Sequence, residues 1–287
     1  MTRTLPDAAR LVLRELGLDP DAPNLLDLIK VTASGADRDL LSSHTYKMTL
    51  GEGFGVLSKV MHLAPATESG VNTCPFAGNC AGFCIKTIGQ MVTRGALRAR
   101  VLRTLWWHLD PESFLEKLDA EIKQHGRRAA RKGMHAAVRL NGTSDILWER
   151  FGVPQRNPEI THYDYSKVPL DRRRELPDNY SLTYSVSEVA GSMQRAIEYL
   201  RAGHTAAVVI QSKTGTTRKQ AVAEVQRILE RGELLGFPVV NGDLHDIRFR
   251  DPAGSFVLLA AKGAAARDHT GFTYRDAFTP RRRLVVA

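Results

Sequence analysis

The three cysteines of this 287-residue chain, Cys74, Cys80 and Cys84, fall within the eleven-residue stretch CPFAGNCAGFC, spaced C-x5-C-x3-C. Thiols that serve only as small core hydrophobes have no cause to gather in a loop rich in Gly, Pro and Asn. In a reducing compartment a disulfide is disfavoured, and an odd count leaves one thiol over. Metal ligation explains the crowding best. A 4Fe-4S cluster held by three thiolates keeps one iron open to a cofactor or substrate, whereas a structural zinc needs a fourth ligand such as His62. The chain has no fourth cysteine, which favours the cluster; zinc and a metal-free loop are the alternatives. No H-x-x-x-H pair supports a histidine-based zinc site.

The second set of chemistry-bearing residues follows short apolar runs at 134–140, 160–163, 180–186, 205–210 and 237–240. Asn141, Thr143, Ser144 and Asp145 follow the first run, and Asp164, Tyr165, Ser166 and Lys167 follow the second. Ser185, Ser187 and Glu188, then Gln211, Ser212 and Lys213, then Asn241, Asp243, His245 and Asp246 follow the others. If the runs are parallel strands, these polar residues converge on one rim. Asp145 and Lys167 are the catalytic candidates. Phe83, Asn141, Ser185, Ser187, Glu188 and Asp243 are the cofactor-binding candidates, since Asp145, Glu188 and Asp243 would set carboxylates near a cationic cofactor. Lys167 and Lys213 suit a carboxylate or phosphate. Taken singly, Asn141-Gly142, Asn241-Gly242 and Ser187 also serve as ordinary turns and caps.

The elements that must position these groups are legible in the hydrophobic pattern. Helical periodicity between the runs, notably at 191–202 and 218–231, implies βα units and a parallel sheet. Two further helices span 88–109 and 114–131, with Asp110 suited to a cap and Pro111 to a first turn. Two short helices precede them within residues 5–30. Residues 46–63 alternate around a glycine-rich centre and read as a β-hairpin, and 246–261 read as a terminal hairpin around Asp251-Pro252-Ala253-Gly254. The expected fold is α/β, a partial or complete TIM-like βα barrel with a helical N-terminal segment over 1–45, a barrel domain over 46–263 and a basic tail over 264–287.

The cysteine loop resembles that of radical S-adenosylmethionine enzymes, where an aromatic residue precedes the last cysteine as Phe83 does here. It departs in spacing from their C-x3-C-x2-C and lacks a Gly-Gly-Glu on the next strand. A closer resemblance is to the bacteriophage gene product 88 family, carried by CPFAGNCAGFC at 74–84, RLNGTSDI at 139–146, THYDYSK at 161–167, LTYSVSE at 182–188 and the stretch 239–263. Together the resemblances imply a barrel-like fold with a cluster at one rim. The leading expectation is an iron-sulfur enzyme, with S-adenosylmethionine as possible cofactor and an external electron donor. The alternative is a non-catalytic metal protein that binds nucleic acid.

Composition narrows the field. Forty Lys and Arg against thirty-one Asp and Glu leave a charge of +9, clustered at 94–103, 127–132, 172–174 and 281–283. Weak nucleic-acid binding is therefore allowed, although a charge run usually forms a solvated face. The apolar runs are too short for a membrane span, and the start lacks the apolar core of a signal peptide. A cytoplasmic location is expected, that of the host if the protein is phage-encoded. The G-x-G-x-G at 51–55 opens no helix and is not a phosphate loop. Trp106 and Trp107 sit among leucines and read as packing residues.

Overall fold

The structure is a computed structural model that describes residues 3–33, 39–42, 46–173, 175–213 and 215–275. The N-terminal part comprises α1 (Asp7–Glu15), α2 (Leu25–Ala33), β1 (Leu41–Ser42), α3 (Tyr46–Glu52) and β2 (Val56–Met61). The cysteine-bearing segment follows, with short 3-10 turns at Asn79–Ala81, Ile85–Thr87 and Gly89–Val92. Then come α4 (Arg94–Leu109), α5 (Pro111–Arg131), β3 (His135–Arg139), β4 (Thr161–Ser166), β5 (Tyr180–Ser185), α6 (Ser192–Arg201), β6 (Thr205–Ile210), α7 (Arg218–Arg231), β7 (Glu233–Leu234), β8 (Phe237–Asn241) and β9 (Phe256–Ala260). Local chemistry sets the helix ends. Thr93 caps α4 by accepting from the Ala96 amide, and Asp110 caps α5 by accepting from the Ser113 amide with Pro111 in the first turn. Thr217 and Gln220 form a reciprocal capping box on α7, which Gly232 ends at φ 80°.

Among the described residues the strands form one nine-stranded sheet in the order β1-β2-β3-β4-β5-β6-β9-β8-β7. Neighbours from β2 to β8 in that order run parallel, while β1 and β7 add antiparallel edges. The strands succeed one another as in a βα barrel, but β1 does not pair with β7 and the sheet stays open. Closure into a TIM-like barrel is therefore not found; the architecture is an open, mostly parallel α/β sheet.

Side-chain alternation divides the sheet into two faces. Leu57, Met61, Val138 and Leu140 pack against Leu102, Leu105, Phe114 and Ile122 from α4 and α5, with Trp106 and Trp107 in the same core. Leu182, Tyr184, Val208, Phe256 and Leu258 pack against Ala196, Val225 and Ile228 from α6 and α7. On the opposite face Val56, Ala137 and Tyr163 are covered by Ile247 and Phe249. This second face is the one that matters for the site.

Both expected hairpins give way to other structures. Residues 46–52 form a helix, with Gly51 set beside the Val56 carbonyl and the Ile247 side chain, where a Cβ would lie at ordinary contact distances of 3.5 and 3.6 Å. The segment after β8 does not fold back as a strand, since Ile247 and Phe249 are drawn onto the second face, and the chain then returns as β9 parallel to both β6 and β8. The hairpin that does form joins β7 to β8 through Leu235 and Gly236, both left-handed at φ 54° and 80°. The basic stretch 281–283 and the second half of the C-terminal tail lie outside the described residues.

Candidate functional site

The carboxyl ends of β3 and β4 carry a buried polar network. Asn141 spends its side chain locally, its carbonyl oxygen accepting from Ser144 Oγ, the Ile146 amide and Trp148 Nε1. Its backbone amide donates to Asp164 Oδ1 at 2.6 Å, and Tyr180 donates its hydroxyl to Asp164 Oδ2 at 2.8 Å. Burial nevertheless pushes the Asp164 carboxyl up to about 7. Asn141 and Asp164 thus tie the β3 loop to β4 and β5.

Asp145 is the hinge of a second chain of contacts. Its Oδ1 accepts from Ser166 Oγ at 2.6 Å and its Oδ2 from the Lys167 backbone amide at 2.8 Å. Burial pushes its carboxyl above the usual carboxylate range, against the opposing pull of those donors and of Arg173 and Lys167. Ser166 Oγ in turn accepts from Arg173 Nη2, and Arg173 Nη1 pairs with Glu149 at 2.8 Å with both side chains within 1% of full burial. The run Glu149, Arg173, Ser166, Asp145 therefore ends on the backbone of Lys167. Lys167 is half-buried; its backbone amide is spent on Asp145, and its charge helps hold the Asp145 carboxyl down against burial.

On the second face, Arg139 lies with its guanidinium 4.5 Å over the Tyr165 ring and donates from Nη1 to Asp246 at 3.0 Å. The Tyr165 hydroxyl reaches the other oxygen of Asp246 at 3.5 Å. Arg139 Nε is buried and unpartnered among the described residues. His62, just after β2, is held neutral, lowered to about 4 by burial and by the cations Arg139, Arg103 and Arg100. By the alternation of β4, Tyr163 and Tyr165 share this face with Arg139, and Lys167 follows directly after the strand end.

The cysteines occupy the same end of the sheet without forming a metal centre. Among the described residues no group of three or more His, Cys, Asp or Glu side chains is gathered to hold a metal ion, which overturns the expected iron-sulfur function, its radical S-adenosylmethionine form and the non-catalytic metal-protein alternative. The loop docks on the strand ends at two separate points. Cys74 sits over the β3 loop, 3.7 Å from the Thr143 carbonyl and 3.8 Å from Thr73 Oγ1. The Asn79 amide, beside Cys80, donates to Glu188 beyond β5 at 2.6 Å. A side chain on Gly78 would fall 1.9 Å from that same Glu188 carboxylate, so the loop needs glycine there. All three thiols are free and half-buried, and burial raises Cys74 and Cys84 above the ordinary thiol range.

The structure thus joins Asp145 to Lys167 and brings Cys74 and Glu188 against the same rim. It sends other candidates elsewhere. Asp243 pairs with Lys262 at 2.7 Å and accepts from the Ala260 amide, bracing β8 on β9. The Ser187 amide donates to Ser192 Oγ at the start of α6. Ser185 is half-buried at the end of β5, and Phe83 stacks on Phe272 with centroids 5.3 Å apart. Arg139, Arg173 and Glu149 were not singled out by sequence. For Arg139 the signal was present, an arginine at odd register with apolar Ala137; the Glu149–Arg173 pair, 24 residues apart, left none.

The described strands thus form an open, mostly parallel α/β sheet whose polar strand ends lie beneath the cysteine-bearing loop. The family model for Gene product 88 matches residues 32–276, and the chain belongs to that phage family. No curated protein and no solved structure matches the chain significantly. Among the described residues no helix is long and apolar enough to cross a membrane.

Proposed function

We propose that the protein recognises a small anionic ligand, a carboxylate or phosphate ester, at the carboxyl-end rim of the second face. The observation that carries this reading is a pair of cations at these strand ends: Lys167, half-buried beside Asp145, and Arg139, whose buried Nε has no partner among the described residues. A buried donor without an acceptor is costly, on the order of 1–3 kcal/mol, and a ligand oxygen would relieve it. Asp246 and the Tyr165 ring fix the Arg139 guanidinium, so little order is lost when it engages. Asp145 acts as a positioning residue, holding the backbone from which Lys167 extends. The three free thiols suit a reducing compartment, and we place the protein in the host cytoplasm.

A thermal-shift series with inorganic phosphate, pyrophosphate and citrate tests the reading. Stabilisation by at least one anion, lost in Lys167→Ala, is expected. Equal shifts in the wild type and in Lys167→Ala would overturn it.

A further inference from the structure

A second feature lies at the other end of the sheet. Between α5 and the chain entering β4 runs an open groove of about 550 Å³. Its walls carry Lys123, Arg127 and Arg156, and its floor is apolar, with Ala130, Met134 and Ile160. Lys123, Arg127 and Ala130 follow one another at helical spacing, so one stripe of α5 faces the groove. Gly126 makes the close approach possible, since a side chain there would meet Ile160 at 2.7 Å.

The charge is strongly one-sided. No acidic residue occurs between Ile122 and Ser144, a stretch that holds Lys123, Arg127, Arg128, Arg131 and Lys132, all exposed. Arg156 is tied to Asp119 at 2.6 Å, and Glu159 stands at the edge, so Lys123 and Arg127 supply the available charge in the groove itself. The surrounding field is positive as well: His135 on the groove wall is lowered by burial and then by Arg250, and His125 by burial with contributions from Lys59 and Arg128.

We propose that this groove is a binding site for a nucleic-acid strand, with backbone phosphates on Lys123, Arg127 and the basic end of α5 and a base against the apolar floor. The chemistry is that of a strand rather than a compact anion, because the cations continue along α5 past the groove to Arg131 and Lys132. Single strands are held without sequence preference in cation-lined grooves that track the backbone, and here an aliphatic floor takes the place that aromatic stacking platforms hold in such grooves. The site lies at the amino ends of β3 and β4, opposite the rim proposed for the small anion, so each stands or falls alone.

Fluorescence anisotropy with a short labelled single strand of DNA tests the proposal on the full chain. Wild type should bind at low salt and weaken steeply between about 50 and 200 mM salt. Lys123→Glu with Arg127→Glu should lose about tenfold or more in affinity, and the dependence of log K on log salt should flatten by about 1.4 for two lost phosphate contacts on a single strand. Arg218→Glu with Lys219→Glu, an exposed basic pair on α7, controls for net charge, and Lys167→Ala controls for the rim. Both controls should bind as wild type does. Absence of binding by wild type at low salt, an equal loss in the α7 variant, or full competition by a free mononucleotide would each overturn the proposal.

Discussion

Replacing Arg173 by Ala removes the keystone between the rim and the core. Its guanidinium is 1% exposed, its partner Glu149 is fully buried, and a second nitrogen donates to Ser166 Oγ at 2.5 Å. Deleting the arginine leaves Glu149 as an uncompensated buried carboxylate, and breaking such a pair costs roughly 3–5 kcal/mol. The loss of the donor to Ser166 adds about 1 kcal/mol, since that oxygen keeps the Val168 amide as a donor. Arg173→Met combined with Glu149→Leu removes both charges, and an apolar pair of similar volume recovers most of the stability. Urea unfolding monitored by far-ultraviolet circular dichroism gives the comparison directly. A single variant that costs under about 1 kcal/mol, or a double variant as unstable as the single, would refute the reasoning that the pair is dry and mutually dependent. The double variant also tests the relay, because Ser166 would hold Asp145, and Asp145 the Lys167 amide, without the arginine; anion binding at the rim should then weaken less than in Lys167→Ala.

Further outcomes follow from the same geometry. Asp164 has a folded-state value near 7 against 3.8 in the unfolded chain, so its contribution to stability is full below about pH 4 and is lost as pH rises through 7; Asp164→Asn should flatten that part of the stability profile, and an unchanged slope would contradict the assignment. Gly142→Ala would place a methyl group 2.5 Å from the Met61 carbonyl and 2.6 Å from His62 Nδ1, and should destabilise by about 1–3 kcal/mol in denaturant titration. Cys74 and Cys84, raised by burial, should alkylate with iodoacetamide more slowly than glutathione at pH 8, as read by mass spectrometry of the labelled peptides; faster labelling would mean the thiols are not shielded as described.

The parts of the fold that were legible in the sequence are those in which local and tertiary demands agree. The residues of β6 read as a strand and those of α7 as a helix with nearly their observed ends, because an unbroken apolar run and a capped amphipathic stripe have one sensible outcome each. Residues 46–52 failed because alternation over so short a span fits a helical stripe equally well, and Ile247, which packs beside Gly51, comes from 196 residues along the chain. The stretch at 246–251 failed for a related reason: Ile247 and Phe249 look like strand residues but are used as a cover on the second face. In the site, crowding of three cysteines was visible, but spacing says nothing about which strand-end groups the loop docks against, here Thr143 and Glu188. Asp145 and Lys167 were found together because both follow strands that pair with a common neighbour arrangement, β3 beside β4.

Anion binding at the rim depends most directly on Lys167, and isothermal titration calorimetry with pyrophosphate measures it. Wild-type protein and the Lys123→Glu, Arg127→Glu double variant should bind alike, whereas Lys167→Ala should bind at least about tenfold more weakly, the loss of one charge-assisted contact of roughly 1.4–3 kcal/mol. Undetectable binding to the wild type, or an affinity unchanged in Lys167→Ala, would contradict the claim that this rim is built to hold an anion.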